Sequence, residues 1–134
     1  MPDASGKPST AGAIAEIEAV IQTYFDGLYE GNVEKLAAAF HPVSHLYCEK
    51  DGSVLDVPRE QWFEMVRNRP SSASRGLARD DRILMIDISG PETAFVKVAC
   101  QIPPRYFTDY LVLNRTREGW KIVSKVYRFD TREG

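Results

Sequence analysis

Little in this chain points to a metal, an export route or a polyanionic partner. Two histidines and two cysteines are all that 134 residues provide. His41 and His45 are four apart, but Pro42 between them breaks the helix that would align them, so no metal site is predicted. Cys48 and Cys100 have no metal-ligand spacing and read as reduced thiols rather than a bridge. Basic residues number 17 against 19 acidic ones, for a net charge of -2. No basic stripe interleaves with aromatics, which argues against nucleic acid as the main partner. The apolar runs are too short to cross a bilayer, so no membrane partner is expected. Residues 1–12 contain no apolar segment of the signal-peptide kind. They read as a disordered leader on a cytoplasmic protein. With 43% hydrophobic and 27% charged residues, the remainder, 13–130, reads as one domain around one core.

The pattern along that domain changes from helical to extended. Ile14, Ile17, Ile21, Tyr24, Phe25 and Leu28 fall on one face of a helix over Ala13–Glu30. Gly31-Asn32 stops it and caps a short second helix, with Val33, Leu36, Ala37 and Phe40 buried and Pro42 as its end. Two short strands, His45–Cys48 and Ser53–Val57, turn at Asp51-Gly52. Pro58 opens a third helix carrying Trp62, Phe63 and Val66. Pro70–Ala78 is a loop rich in small residues, expected to be mobile. Strands then follow over Arg82–Ile88, Thr93–Gln101, the segment after Pro103-Pro104, and Trp120–Phe129. Helices first and an antiparallel sheet afterwards predict an α+β domain with helices on one face of a curved sheet.

One strand carries an anomaly. Side chains alternate along a strand, so Phe107, Asp109, Leu111 and Leu113 share a face. A carboxyl group in an apolar row needs a partner, and such groups gather at pockets. Asp109 is therefore the foremost candidate site residue. Tyr24, on the apolar face of the first helix, needs a hydroxyl partner if buried and is placed facing Asp109.

The phrases Tyr24-Phe25-Asp26-Gly27, Gly31-Asn32, Ala39-Phe40-His41-Pro42, Thr108-Asp109-Tyr110-Leu111 and Gly119-Trp120-Lys121-Ile122-Val123 resemble the NTF2-like superfamily. Within it they are similar to the SnoaL-like, Putative lumazine-binding group. The resemblance covers nearly all of Ala13–Phe129 and implies a cone: three N-terminal helices packed on a curved, mostly antiparallel sheet. Ketosteroid isomerases share that fold. Their oxyanion-binding tyrosine and aspartate align with Tyr24 and Asp109, while their catalytic carboxylate base aligns with Cys48. That departure speaks against steroid isomerisation, and the fold alone names no substrate.

The expected function is a pocket for a small, mostly apolar cyclic or aromatic ligand. Asp109 and Tyr24 would donate to a ligand oxygen and His41 would shuttle a proton, as in a cofactor-independent isomerase or lyase. Cys48, Trp62, Leu111 and Ser124 are the expected ligand contacts. Trp120, Ile122, Ser124 and Val126 would share one face of the last strand. Lys125 would project with Tyr127 and Phe129 to the opposite face, toward a homodimer interface. The competing reading is a non-catalytic association module.

Overall fold

The computed structural model describes residues 10–132. Helix α1, Thr10–Glu30, leads into α2, Val33–Ala39, and the hairpin β1, Phe40–Lys50, and β2, Ser53–Pro58. Helix α3, Arg59–Arg67, follows that hairpin, so only two of the three helices precede the first strand. Four longer strands complete the chain: β3 Arg82–Ser89, β4 Thr93–Ile102, β5 Arg105–Thr116 and β6 Gly119–Thr131. The sheet has the order β2-β1-β6-β5-β4-β3. Neighbouring strands are antiparallel except β1 and β6, which run parallel. Of the leader expected over 1–12, Thr10–Gly12 are helical, and the rest lies outside the described residues.

Local chemistry explains the helix boundaries. Gly31 takes φ +66 just past α1, and a Cβ there would come within 3.0 Å of the Ser71 Cβ, so glycine serves both the turn and the close passage of the later loop. The Asn32 side chain then accepts the Lys35 N–H and caps α2. That helix ends at Ala39, earlier than Pro42 suggested, and Phe40 and His41 already belong to β1. Pro42 lies where the β1–β6 register shifts, between Phe40 and His45. A residue with no N–H to donate is tolerated at such an irregularity.

The core sits between α1 and the concave face of the sheet. Ile17, Ile21, Leu36, Phe40, Val96, Val98, Leu111, Leu113 and Ile122 are fully buried in it. Alternation on β5 is as the sequence indicated, with Asp109, Leu111 and Leu113 all turned inward. On β6 it breaks. Leu113 pairs with Ile122 but Val112 pairs with Ser124, so Val123 is an extra residue, a β-bulge. Before it, Trp120 and Ile122 face the core. Beyond it the faces exchange: Lys125 is buried, and Ser124 and Val126 stand across from Val112 and Tyr110 on the outer side. The expectation of Lys125 outside and Ser124 inside is thereby reversed.

Candidate functional site

The site is built from three elements that converge on one carboxyl group. Tyr24 lies on the core face of α1, wedged by Phe25 and by the edge-on ring of Phe40 at 5.3 Å. Its hydroxyl donates to Asp109 Oδ2 on β5 at 2.5 Å. The ammonium of Lys125 on β6 donates to the Tyr24 hydroxyl at 2.8 Å and stands 3.9 Å from the same carboxyl oxygen. Asp109 and Tyr24 are fully buried, and Lys125 is 5% exposed. A carboxyl group, a phenol and an ammonium thus form a chain of hydrogen bonds inside an apolar core, an arrangement sustained only when its members satisfy one another.

Aromatic faces complete the lysine's surroundings. Its Nζ lies 4.8 Å from the Trp62 ring centre and 5.1 Å from those of Tyr24 and Tyr127. Each ring face offers negative potential to the cation and compensates part of the lost hydration. Burial, and then the Asp109 carboxyl group, push the Tyr24 phenol well above its ordinary value of 10.0, so it remains an O–H donor. Burial also raises the Cys100 thiol, whose Sγ is 3.8 Å from Asp109 Oδ2. The other oxygen, Asp109 Oδ1, is buried without a hydrogen-bond partner. Tyr127 is raised chiefly by burial and next by Cys48.

Above this chain opens a cavity of about 100 Å³. Tyr24 and Lys125 reach it from below, Leu46, Trp62 and Met65 form one wall, and Phe107, Tyr127 and Phe129 another. Among the described residues no aspartate or glutamate lines it. Asp109 itself lies behind Tyr24 and Lys125, so those two, and not the carboxyl group, meet whatever enters.

The sequence candidates distribute unevenly around this centre. Tyr24 faces Asp109, and Trp62 packs beside the lysine and lines the cavity. Leu111 lies in the core and pairs with Lys125 across the β5–β6 ladder. Cys48 stands beside Tyr127 and supports that wall without lining the cavity. Ser124 is on the outer face, for the reason of the bulge. His41 is elsewhere: its Nδ1 accepts the Val43 N–H, and its ring lines a separate cavity with Arg59, Glu118 and Lys121. That cavity shares no lining residue with the one at Tyr24 and Lys125, so His41 does not reach the ligand position it was expected to serve. Both cysteines are free thiols. Among the described residues no cluster of three or more His, Cys, Asp or Glu could hold a metal, and no helix is long and apolar enough to cross a membrane.

Sequence reasoning missed Lys125, Arg69 and Arg105 as cavity residues. An unpaired aspartate on one inward row was a signal to search for a cation on the neighbouring strand. β6 offered Lys121, Lys125 and Arg128, and which of them faced inward depended on the bulge.

Comparisons with known proteins agree with this architecture. An NTF2-like protein of unknown function from Shewanella baltica superposes with a TM-score of 0.83 at 20% identity, over 93% of this chain and 99% of that one. A second, from Methylobacillus flagellatus, gives 0.77 at 24% identity, covering 93% and 97%. A ketosteroid isomerase-like protein from Erwinia carotovora atroseptica gives 0.67 at 14%, covering 88% and 96%. At these identities the likeness shows a shared fold. In sequence, the chain is 28% identical over 118 residues to a Cladobotryum protein named Aldolase FrzH, covering 84% of this chain and 90% of that protein. A family model described as Putative lumazine-binding matches residues 12–128, from the first turn of α1 through the arginine after the Lys125 row, and the chain belongs to that NTF2-like family.

Proposed function

We propose that this chain binds a small, mostly apolar cyclic or aromatic molecule whose carbonyl or hydroxyl oxygen sits against Lys125. It acts on that oxygen by acid–base chemistry without a cofactor, as an isomerase or lyase. The observation that carries this reading is the buried Asp109–Tyr24–Lys125 chain ending at an apolar-walled cavity. Tyr24 has one O–H, and Asp109 accepts it, so Tyr24 positions rather than donates to a ligand. Lys125 has three N–H donors and spends one on Tyr24, leaving others for a ligand oxygen. An ammonium held in place before reaction stabilises negative charge developing on that oxygen, as in an enolate, without reorganising. It can also hand a proton to the oxygen. The relative named as an aldolase supports the lyase side of this reading.

Deuterium exchange into cyclohexanone at its α-carbons, followed by NMR, tests the chemistry. With buffer base taking the α-proton while Lys125 holds the enolate oxygen, wild-type protein accelerates exchange, whereas Lys125→Met and Asp109→Asn, checked for folding by circular dichroism, do not. The test for binding is saturation-transfer NMR with para-propylphenol. Absence of both binding and exchange sinks the reading.

The outer face of the sheet supports a second copy of the chain as partner. Tyr47, Val126, Tyr110, Lys97 and Met85 stand in register across five strands. Val126, Tyr110 and Met85 are 47%, 39% and 52% exposed. An apolar row of that extent on the uncovered side of a sheet suits a two-fold contact, in which the same patch meets itself. If association were the whole function, cavity substitutions would leave every activity unchanged.

A further inference from the structure

We infer that the ligand carries an oxyanion, a carboxylate or a phosphate, and that Arg69, Arg75 and Arg105 receive it at the mouth of the site. The inference rests on the pocket reading above and adds the ligand's charge. The first observation is a second cavity of about 360 Å³ that adjoins the first. Leu28, Arg69, Ile102, Arg105 and Phe107 line both, so the two cavities stand side by side across shared walls. The second observation is its charge. Three arginines line this outer chamber and Lys125 the inner one, yet among the described residues no aspartate or glutamate lines either. The chain as a whole is acidic, at -2. Four cations around two adjoining cavities are therefore a local concentration against the overall balance, and a cleft of one sign draws ions of the other.

The third observation is that these arginines are idle. Several arginines elsewhere are paired: Arg79 with Asp26 and Asp81, Arg82 with Asp80, Arg128 with Asp130. Among the described residues, Arg69 and Arg75 have no ion pair or side-chain hydrogen bond, and Arg105 has only the Phe129 ring, 5.1 Å from its guanidinium carbon. Arg105 is close enough to bear on the charge of Arg69. Surrounding protein first, and Arg105 next, hold the Arg69 guanidinium below its ordinary value. An oxyanion between them relieves that repulsion, and guanidinium forks match the two acceptor oxygens of a carboxylate or phosphate.

The chain also fixes where these arginines stand. Arg69 follows α3, and Arg105 opens β5 just after the cis Pro103-Pro104 peptide. Arg75 lies on the 70–81 loop, which the Tyr29 carbonyl and hydroxyl hold to α1 through Ala73 N–H and Leu77 O. Such a space takes an elongated molecule: its cyclic end on Lys125, its anionic end among the arginines.

The test compares two probes that differ only in the anion, para-propylphenol and para-hydroxyphenylpropanoate, by calorimetric titration of the full chain. One charge-assisted contact is worth roughly ten- to a hundred-fold in affinity, so the carboxylate should bind at least ~10-fold tighter to wild type. In Arg69→Gln/Arg105→Gln that advantage should vanish, the ratio of the two affinities falling to about one whatever the affinity for para-propylphenol itself becomes. Inorganic phosphate, added to protein with labelled arginine side chains, should shift Arg69 and Arg105 Nε resonances. Equal affinities for the two phenols overturn the anion inference and leave the pocket reading intact. So does an advantage that survives the double substitution. Failure of both phenols with phosphate shifts retained sinks the pocket reading and keeps the oxyanion site. Absence of phosphate shifts together with failure of both phenols overturns the oxyanion site as well.

Discussion

The two halves of β6 obey opposite rules. From Gly119 to Ile122 the even-numbered residues face the core, as Trp120 and Ile122 do; after Val123 the odd-numbered ones do, and Lys125 and Tyr127 line the site. A single extra residue therefore decides whether the strand offers the cavity a serine or an ammonium. Because side chains repeat every two residues, a one-residue slip exchanges the two faces completely. Here the slip delivers a cation to Asp109, the one fully buried carboxyl group among the described residues.

The strongest way to break this comparison is to substitute on either side of the exchange. Lys125→Met removes the counter-charge of a fully buried Asp109. Breaking one side of a buried pair costs about 3–5 kcal/mol, which in a domain of this size lowers the thermal midpoint by roughly 10 °C or more. Ser124→Ala, on the outer face, should stay within about 0.5 kcal/mol of wild type. Adding Asp109→Asn to Lys125→Met should recover most of the loss, since no unpaired charge remains. Similar midpoints for the two single variants would mean that the strand does not carry Lys125 inward.

The outer face provides the next contrast. Tyr110→Glu and Val126→Glu place charges on the exposed row and should convert a dimer to monomers in sedimentation at micromolar concentration. Their unfolding free energies, compared at matched association state, should move by less than about 1 kcal/mol. Wild-type protein that sediments as a monomer would refute the second-copy proposal outright.

How much of this was legible follows the range over which each feature is determined. Asp109 and the row beside it were readable because alternation on β5 is unbroken. Tyr24 was readable because the helical period from Ile17 to Phe25 has no interruption. Their mutual contact spans 85 residues, yet both faces were fixed locally. Lys125 was misplaced because the bulge at Val123 arises from pairing with β5 on one side and β1 on the other. Nothing within β6 announces it. His41 was misplaced because Pro42 reads as a helix stop, whereas α2 had already ended at Ala39. Arg69 and Arg105 come from the ends of unrelated elements and meet only in three dimensions.

A spectroscopic contrast separates Tyr24 from the other tyrosines, of which the chain has six in all. Burial and Asp109 keep its phenol protonated well past 10.0. Between the unfolded and folded values the folded protein holds one more proton, so stability falls as pH rises through that window. Ultraviolet titration should therefore show one tyrosine that ionises only with unfolding at high pH. Asp109→Asn removes the second cause and should bring that step to lower pH. Ionisation of Tyr24 near 10 in folded protein would contradict the buried hydrogen-bonded chain.

The smallest effect sharpens the difference between a buried pair and a surface one. Asp26 meets Arg79 at the protein surface, both side chains about one-third exposed, and the pair ties the 70–81 loop to α1. The Arg79 hydrogen bond holds the Asp26 carboxyl group below its ordinary value of 3.8, against a smaller opposing effect of burial. A lowered folded value stabilises the protein above the unfolded value, and the gain disappears as pH falls through the folded one. Water screens this pair, so its worth is about 0.5 kcal/mol at neutral pH, well short of the loss expected from Lys125→Met. Asp26→Asn should lower neutral-pH stability by that amount and flatten the acid limb of the stability profile below pH 4 by the same amount. Chemical denaturation across the acid range measures both. A loss as large as that of Lys125→Met would show that burial is not what separates the two pairs.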